Sequence, residues 1–217
     1  MPACFITFEG TEGAGKSTQI QLLAERLRAH SCQVCCVREP GGTLAGERIR
    51  GVLKDPALAG AMSPEAELFL VSASRTELVQ TVIRPALARG EIVLCDRFID
   101  STVAYQGFGR GLALDRLREL VDFSTGGLRP DLTFLLQVSL SSSYARRAQR
   151  EQAATGQGGE ADRFELAGDD FFSRVERGFG QLAADEPERL VTIDGEGSVD
   201  DVANRIWQTI ERRNVLD

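Results

Sequence analysis

Three groups of residues have the types and spacings needed to handle a phosphorylated substrate. The first is residues 10–18, Gly10-Thr11-Glu12-Gly13-Ala14-Gly15-Lys16-Ser17-Thr18, which fits the phosphate-loop pattern G-x-x-x-x-G-K-[ST]. Its glycines let the backbone wrap closely, so that successive N–H groups point at phosphate oxygens. Lys16 adds a mobile positive charge for the β- and γ-phosphates of a nucleoside triphosphate, and Ser17 a hydroxyl for the accompanying Mg²⁺. The second group is Asp96-Arg97, which closes the apolar run Glu-Ile-Val-Leu-Cys-Asp at 91–96. A carboxylate there reaches Mg²⁺ or its waters, the part played by a Walker B acid. The third is a set of arginines, Arg146, Arg147, Arg150 and Arg163, on either side of the glycine-rich stretch 155–160. Arg146 and Arg150 share one helical face. Residues 147–163 read as a lid that closes over the phosphates and excludes water.

Elements that would position these groups are visible in the pattern. Apolar runs at 4–8, 33–38, 91–96, 130–138 and 189–193 read as five strands, and the stretches between them as helices. The phosphate loop falls between the first strand and the helix beginning near Lys16, whose N-terminal N–H groups and dipole favour an anion. Residues 62–65, Met-Ser-Pro-Glu, start a helix with Ser63 as N-cap and Pro64 in the first turn. That helix runs towards Pro85, which is expected to kink or break it. Arg75 sits in mid-helix, where a solvated position is the default. Residues 140–154 are expected to be helical. The alternation predicts an α/β fold, a five-stranded parallel sheet flanked by helices on both faces. Within 217 residues this is a single domain with a short inserted lid.

Composition narrows the function further. A net charge of −7 argues against a general nucleic-acid binder. No apolar run approaches the ~18 residues that would span a bilayer. The N-terminus lacks the basic start and cleavage site of a leader, so a cytoplasmic protein without membrane or nucleic-acid partners is expected. Five cysteines, an odd number, point to reduced thiols. His30 with Cys32, Cys35 and Cys36 does not make a zinc site, because strand alternation sends Cys35 and Cys36 to opposite faces. A GTPase is disfavoured: neither Asn204 nor Asn214 is followed by the lysine of a guanine-reading Asn-Lys-x-Asp.

Further segments carry ligand-binding chemistry: Arg38-Glu39-Pro40-Gly41-Gly42-Thr43 at the end of the second strand, and Asp100-Ser101-Thr102-Val103-Ala104-Tyr105-Gln106-Gly107 after Asp96-Arg97-Phe98. Together with residues 8–18 and Arg129-Pro130-Asp131-Leu132-Thr133, in this order, they resemble bacterial thymidylate kinases of the nucleoside-monophosphate-kinase fold. The resemblance implies transfer of the γ-phosphate of Mg²⁺-ATP to dTMP, giving dTDP for dTTP synthesis, by a homodimer. It implies that residues 10–18 hold ATP and that Ser17 and Asp96 serve Mg²⁺. Arg38, Arg50 and Arg97 would hold the dTMP phosphate, and Glu12 the sugar 3′-hydroxyl. Glu39-Pro40 would shape the acceptor pocket, with a cis peptide before Pro40. Arg75 would meet a thymine carbonyl, Gln106 or Thr102 the base edge, with Ser101 beside them, and Tyr105 the sugar. Lys16, Glu12 and Arg97 are thus the catalytic set, completed by one lid arginine. No arginine occupies the phosphate loop, so that charge must come from the lid, and Arg150 is favoured over Arg146, Arg147 and Arg163. Relatives often carry Phe four residues before the helix arginine, stacking on thymine. This chain has Val71 there, and Phe69 lies about 200° round the helix.

Overall fold

The structure, a computed structural model, describes residues 3–139, 141–143, 145–146 and 163–215. Five strands, β1 (Cys4–Glu9), β2 (Val34–Arg38), β3 (Ile92–Asp96), β4 (Leu132–Gln137) and β5 (Leu190–Asp194), form one parallel sheet in the order β2-β3-β1-β4-β5. The expected α/β architecture is what the chain adopts. The central strand β1 is buried along its length, and its period of two divides the interior. Phe5 joins a core on one face with Leu78, Phe98, Val175 and Phe179. Ile6 and Phe8 join a core on the other with Leu23, Leu27, Ile206 and Ile210.

Register brings the functional ends of three strands together. Phe8 pairs with Asp96 across β1 and β3, and Arg38 pairs with Asp96 across β2 and β3. The chain leaves β1 into the phosphate loop and α1 (Lys16–Ala29), and leaves β2 into α2 (Leu44–Lys54). Ligand crevices in open α/β sheets lie at such carboxyl ends.

The helix expected after Ser63 is α3 (Pro64–Leu78), with the Ser63 hydroxyl accepting from the Ala66 N–H at 3.2 Å. Pro85 does not break it. The chain widens into a π-helical turn, Val79–Ile83, and continues as α4 (Arg84–Ala88). The wider turn takes the ring where a regular helix would be interrupted. A second π segment, Val103–Gly109, follows the short α5 (Ile99–Thr102). It carries Tyr105 and Gln106 and packs against α7 (Asp169–Asp185). Side chains at Gly107 and Gly109 would run into Leu114 and Phe171 at 2.6 Å, so close packing accounts for both glycines. The sheet is completed by α6 (Leu114–Thr125) and α8 (Val199–Arg212). Ser198 and Asp201 make a capping box at the start of α8. Of the 140–154 helix, Ser141–Ser143 and Ala145–Arg146 are helical. The 155–160 stretch and nearly all of the expected lid lie outside the described residues.

Candidate active site

The phosphate loop is built for a close backbone approach. Gly10 has φ 132°, and a Cβ there would strike the Leu136 carbonyl oxygen. Lys16 folds back over the loop and donates to the carbonyls of Gly10 and Thr11 at 3.1 and 2.9 Å. Burial, with Arg97 nearby, lowers its ammonium to about 8. A group in that condition gains from an arriving polyphosphate. Ser17 Oγ donates to Asp96 Oδ2 at 2.6 Å, so the two residues assigned to Mg²⁺ are in contact across 79 positions of sequence. A hydroxyl and a carboxylate beside a phosphate loop are hard oxygen donors, and this set fits Mg²⁺, which keeps most of its shell as water and phosphate oxygens. No cluster of three or more His, Cys, Asp or Glu suited to a metal occurs among the described residues.

Arg97 is the next part. Its backbone is left-handed, φ 68°, which turns the chain sharply off the end of β3. Its guanidinium lies 4.9 Å from the centre of the Tyr105 ring and donates to Ser101 Oγ at 3.1 Å. Ser101 in turn donates to Glu9 Oε2 at 2.5 Å, and Glu9 Oε1 accepts the N–H groups of Phe98 and Ser101 at 2.8 and 3.1 Å. The buried Glu9 therefore pins the stretch that follows Arg97, from Phe98 to Ser101. Burial, and then Asp100, push its carboxyl up to about 7, against the pull of Arg97.

Arg75 is not the solvated arginine that its place in mid-helix suggests. It is 1% exposed. Its Nε and Nη2 bond Glu39 Oε2 at 2.8 and 2.6 Å, and Nη2 also reaches Phe98 O and Thr102 Oγ1. The small residues around it make room for a buried ion pair. Burial pushes the Glu39 carboxyl up and Arg75 pulls it down. Nη1 of Arg75 is buried without a hydrogen-bond partner among the described residues, although it belongs to a side chain that lines the cleft. The peptide between Glu39 and Pro40 is cis, as expected. Arg50 donates to Pro40 O at 2.9 Å and Arg38 to Glu47 at 2.7 Å.

These parts line one cleft of about 1000 Å³. It runs from residues 12–19 and Asp96, past Arg38, Arg50, Arg97 and Tyr105, to Arg75, Thr102, Gln106 and Val71. Gly10 and Thr11 meet the site through their carbonyls, which accept from Lys16. Arg146 lines the cleft and donates to Gly195 O at 2.9 Å, with Gly197, Ser198, Val199 and Val202 close by on the wall.

Residues 8–206 match the family model described as thymidylate kinase. The chain belongs to the thymidylate kinase family. It is 52% identical over 194 residues to a thymidylate kinase of Pseudomonas fluorescens strain Pf0-1, covering 89% of this chain and 88% of that one. It is 47% identical over 209 residues to one of Deinococcus radiodurans, covering 96% and 97%. The crystal structure of thymidylate kinase from Ehrlichia chaffeensis superposes with a TM-score of 0.75 at 32% identity, covering 97% of this chain and 99% of that one.

Within this thymidylate kinase scaffold, one lid arginine is elsewhere than the sequence suggests. Arg163 is not a free cation of a lid. It is 4% exposed, pairs with Glu67 at 2.6 Å and donates to Leu53 O at 2.8 Å. A guanidinium so engaged is docked at the acceptor end. Arg147 and Arg150 lie outside the described residues. Three contributors escaped the sequence reading. Glu9 is a charge closing an apolar strand, a signal that could have been followed. Glu67 reads as an ordinary acid in a helix's first turns. Phe164, within the lid's C-terminal flank, lines the cleft and sets its ring edge-on to Tyr105 at 6.1 Å. Val71 also lines the cleft, while Phe69 is 61% exposed and is not in its lining.

Proposed function

We propose that this chain transfers the γ-phosphate of ATP to dTMP, giving dTDP for dTTP synthesis. One observation carries the reading. A single cleft joins a phosphate loop to a buried Arg75 whose Nη1 is left over for a ligand carbonyl. The loop amides and Lys16 hold the β- and γ-phosphates. Arg38, Arg50 and Arg97 hold the acceptor phosphate, and the Tyr105 ring and the hydrogen bond to Ser101 keep Arg97 aimed. Glu12, on the loop itself, takes the 3′-hydroxyl, so donor and acceptor are aligned by one backbone segment. Tyr105 lies against the sugar and disfavours a ribose 2′-hydroxyl. Glu39 and Pro40 shape the pocket, with Thr102 and Gln106 at the base. Ser17 and Asp96 hold Mg²⁺, which neutralises charge developing on the phosphoryl oxygens. Arg150 supplies the lid charge, ahead of Arg146 and Arg147.

The chain is one domain, works as a homodimer, and belongs in the cytoplasm, where its five free cysteines stay reduced. An ADP-release assay with a panel of monophosphates tests the assignment. dTMP should exceed UMP and CMP in kcat/KM by at least about tenfold per mismatched recognition contact. Equal turnover of UMP would replace the reading with a general pyrimidine-nucleotide kinase.

A further inference from the structure

We infer that Glu67, which the mechanism above does not use, is a positioning residue that fixes the polarity of Gln106 and so decides which pyrimidine edge the cleft accepts. The inference rests on the cleft being an acceptor-nucleotide site. Glu67 is 1% exposed on α3. Arg163 pairs with it at 2.6 Å and Arg110 at 3.0 Å, and Gln106 Nε2 donates to its Oε1 at 2.7 Å. Paired with two guanidiniums, Glu67 is a carboxylate, and a carboxylate offers acceptors only. The amide of Gln106 must therefore turn its NH₂ inward. Its carbonyl oxygen is left without a donor among the described residues, on a side chain that lines the cleft.

Glu39 does the complementary work on the other reader. It takes Nε and Nη2 of Arg75 and leaves Nη1 as a donor. Thr102 Oγ1 accepts from Arg75 at 2.8 Å, which sets its hydroxyl up to donate, so Gln106 Oε1 is the acceptor that can read a base N–H. These two readers then offer a donor, Arg75 Nη1, and an acceptor, Gln106 Oε1. A thymine or uracil ring offers the matching pair, a C4 carbonyl beside an N3–H. Cytosine offers the reverse, an amine beside a bare N3, and both contacts fail. Each acidic residue thus orients one reader, and Arg110 and Arg163 hold Glu67 in place to do so.

The test is Glu67→Gln, with kcat/KM for dTMP and dCMP measured by ADP release, alongside KM for ATP. A glutamine at 67 can donate as well as accept, so Gln106 is free to turn over and the ratio of dTMP to dCMP efficiency should fall by about tenfold. The change should appear in acceptor KM, with KM for ATP unmoved. If the single variant does not fold, the charge-balanced Glu67→Gln/Arg163→Met pair is measured instead. A dTMP-to-dCMP ratio within threefold of wild type, in whichever variant folds, would overturn the role of Glu67, because a purely structural residue lowers both efficiencies together. Failure of the underlying assignment is separate: wild-type enzyme would then prefer some acceptor other than dTMP.

Discussion

At the scale of single residues, the site depends on buried charges whose partners are incomplete until ligand arrives. Lys16 is the clearest case, with a depressed ammonium whose hydrogen bonds among the described residues go to two loop carbonyls. Lys16→Ala should lower kcat by at least about two orders of magnitude, as removal of a positioned transition-state charge does, while circular dichroism and thermal midpoint stay near wild type. Retained turnover would remove the phosphate-loop premise. Glu9 makes a prediction about stability. Folding raises its carboxyl from 4.5 to about 7, so the folded chain binds a proton more tightly than the unfolded one. Its contribution is fully present below pH 4.5 and is lost as pH rises through about 7, a loss of about 3 kcal/mol for this shift. Urea unfolding of wild type and Glu9→Gln should show the variant gaining on wild type between pH 5 and pH 8, and a pH-independent gap would contradict it. The phosphate loop was legible in the sequence because its chemistry is local to nine residues. The burial of Arg75 was not, because its partner Glu39 lies 36 positions away and nothing about either residue alone announces the pair. Glu67 was hidden in the same way, with Gln106 39 positions distant.

At the scale of elements, the five strands were legible because a parallel sheet buried on both faces needs continuous apolar runs, and β1 and β3 are such runs. The π segments were not. A widened turn keeps helical apolar spacing on either side, so Pro85 suggested a kink or break where the chain only expands, and nothing in the spacing of residues 103–109 distinguished the π segment on which Tyr105 and Gln106 ride. That segment matters to function, since it presents two neighbouring side chains to one cleft. The element carrying Arg146 supports a division of labour among the arginines. Arg146 bonds the β5–α8 connection at Gly195, whose following residues line the same end of the cleft as the phosphate loop. Arg146→Ala should therefore raise KM for ATP severalfold with little change in kcat. Arg150→Ala should do the opposite, lowering kcat by about three orders of magnitude if it is the clamp on the transferring group. Steady-state kinetics with each substrate varied separates the two patterns, and an unchanged kcat in Arg150→Ala would pass the role to Arg147.

At the scale of the whole molecule, one surface carries exposed apolar side chains on neighbouring helices. Helices α2, α3 and α6 pack in succession. They expose Val52, Phe69 and Phe123, the last two at 61% and 85%. Single exposed apolar residues are ordinary, but two phenylalanines on adjoining helices are the residue type that concentrates at the centre of interfaces. The same α3 presents Arg75 and Val71 to the cleft and Glu67 to its wall. A partner seated on its outer face would hold the acceptor pocket from behind. A stable pair needs about 800 Å² buried on each subunit. Sedimentation of the wild-type chain should give twice the mass of one chain, and Phe69→Lys/Phe123→Lys should shift it to the single-chain mass at micromolar concentration. Placing a like charge at the centre of a two-fold interface sets each lysine against its counterpart, at a cost of several kcal/mol when desolvated. A wild-type chain that sediments alone, or a double-lysine variant that remains paired, would move the contact away from this face.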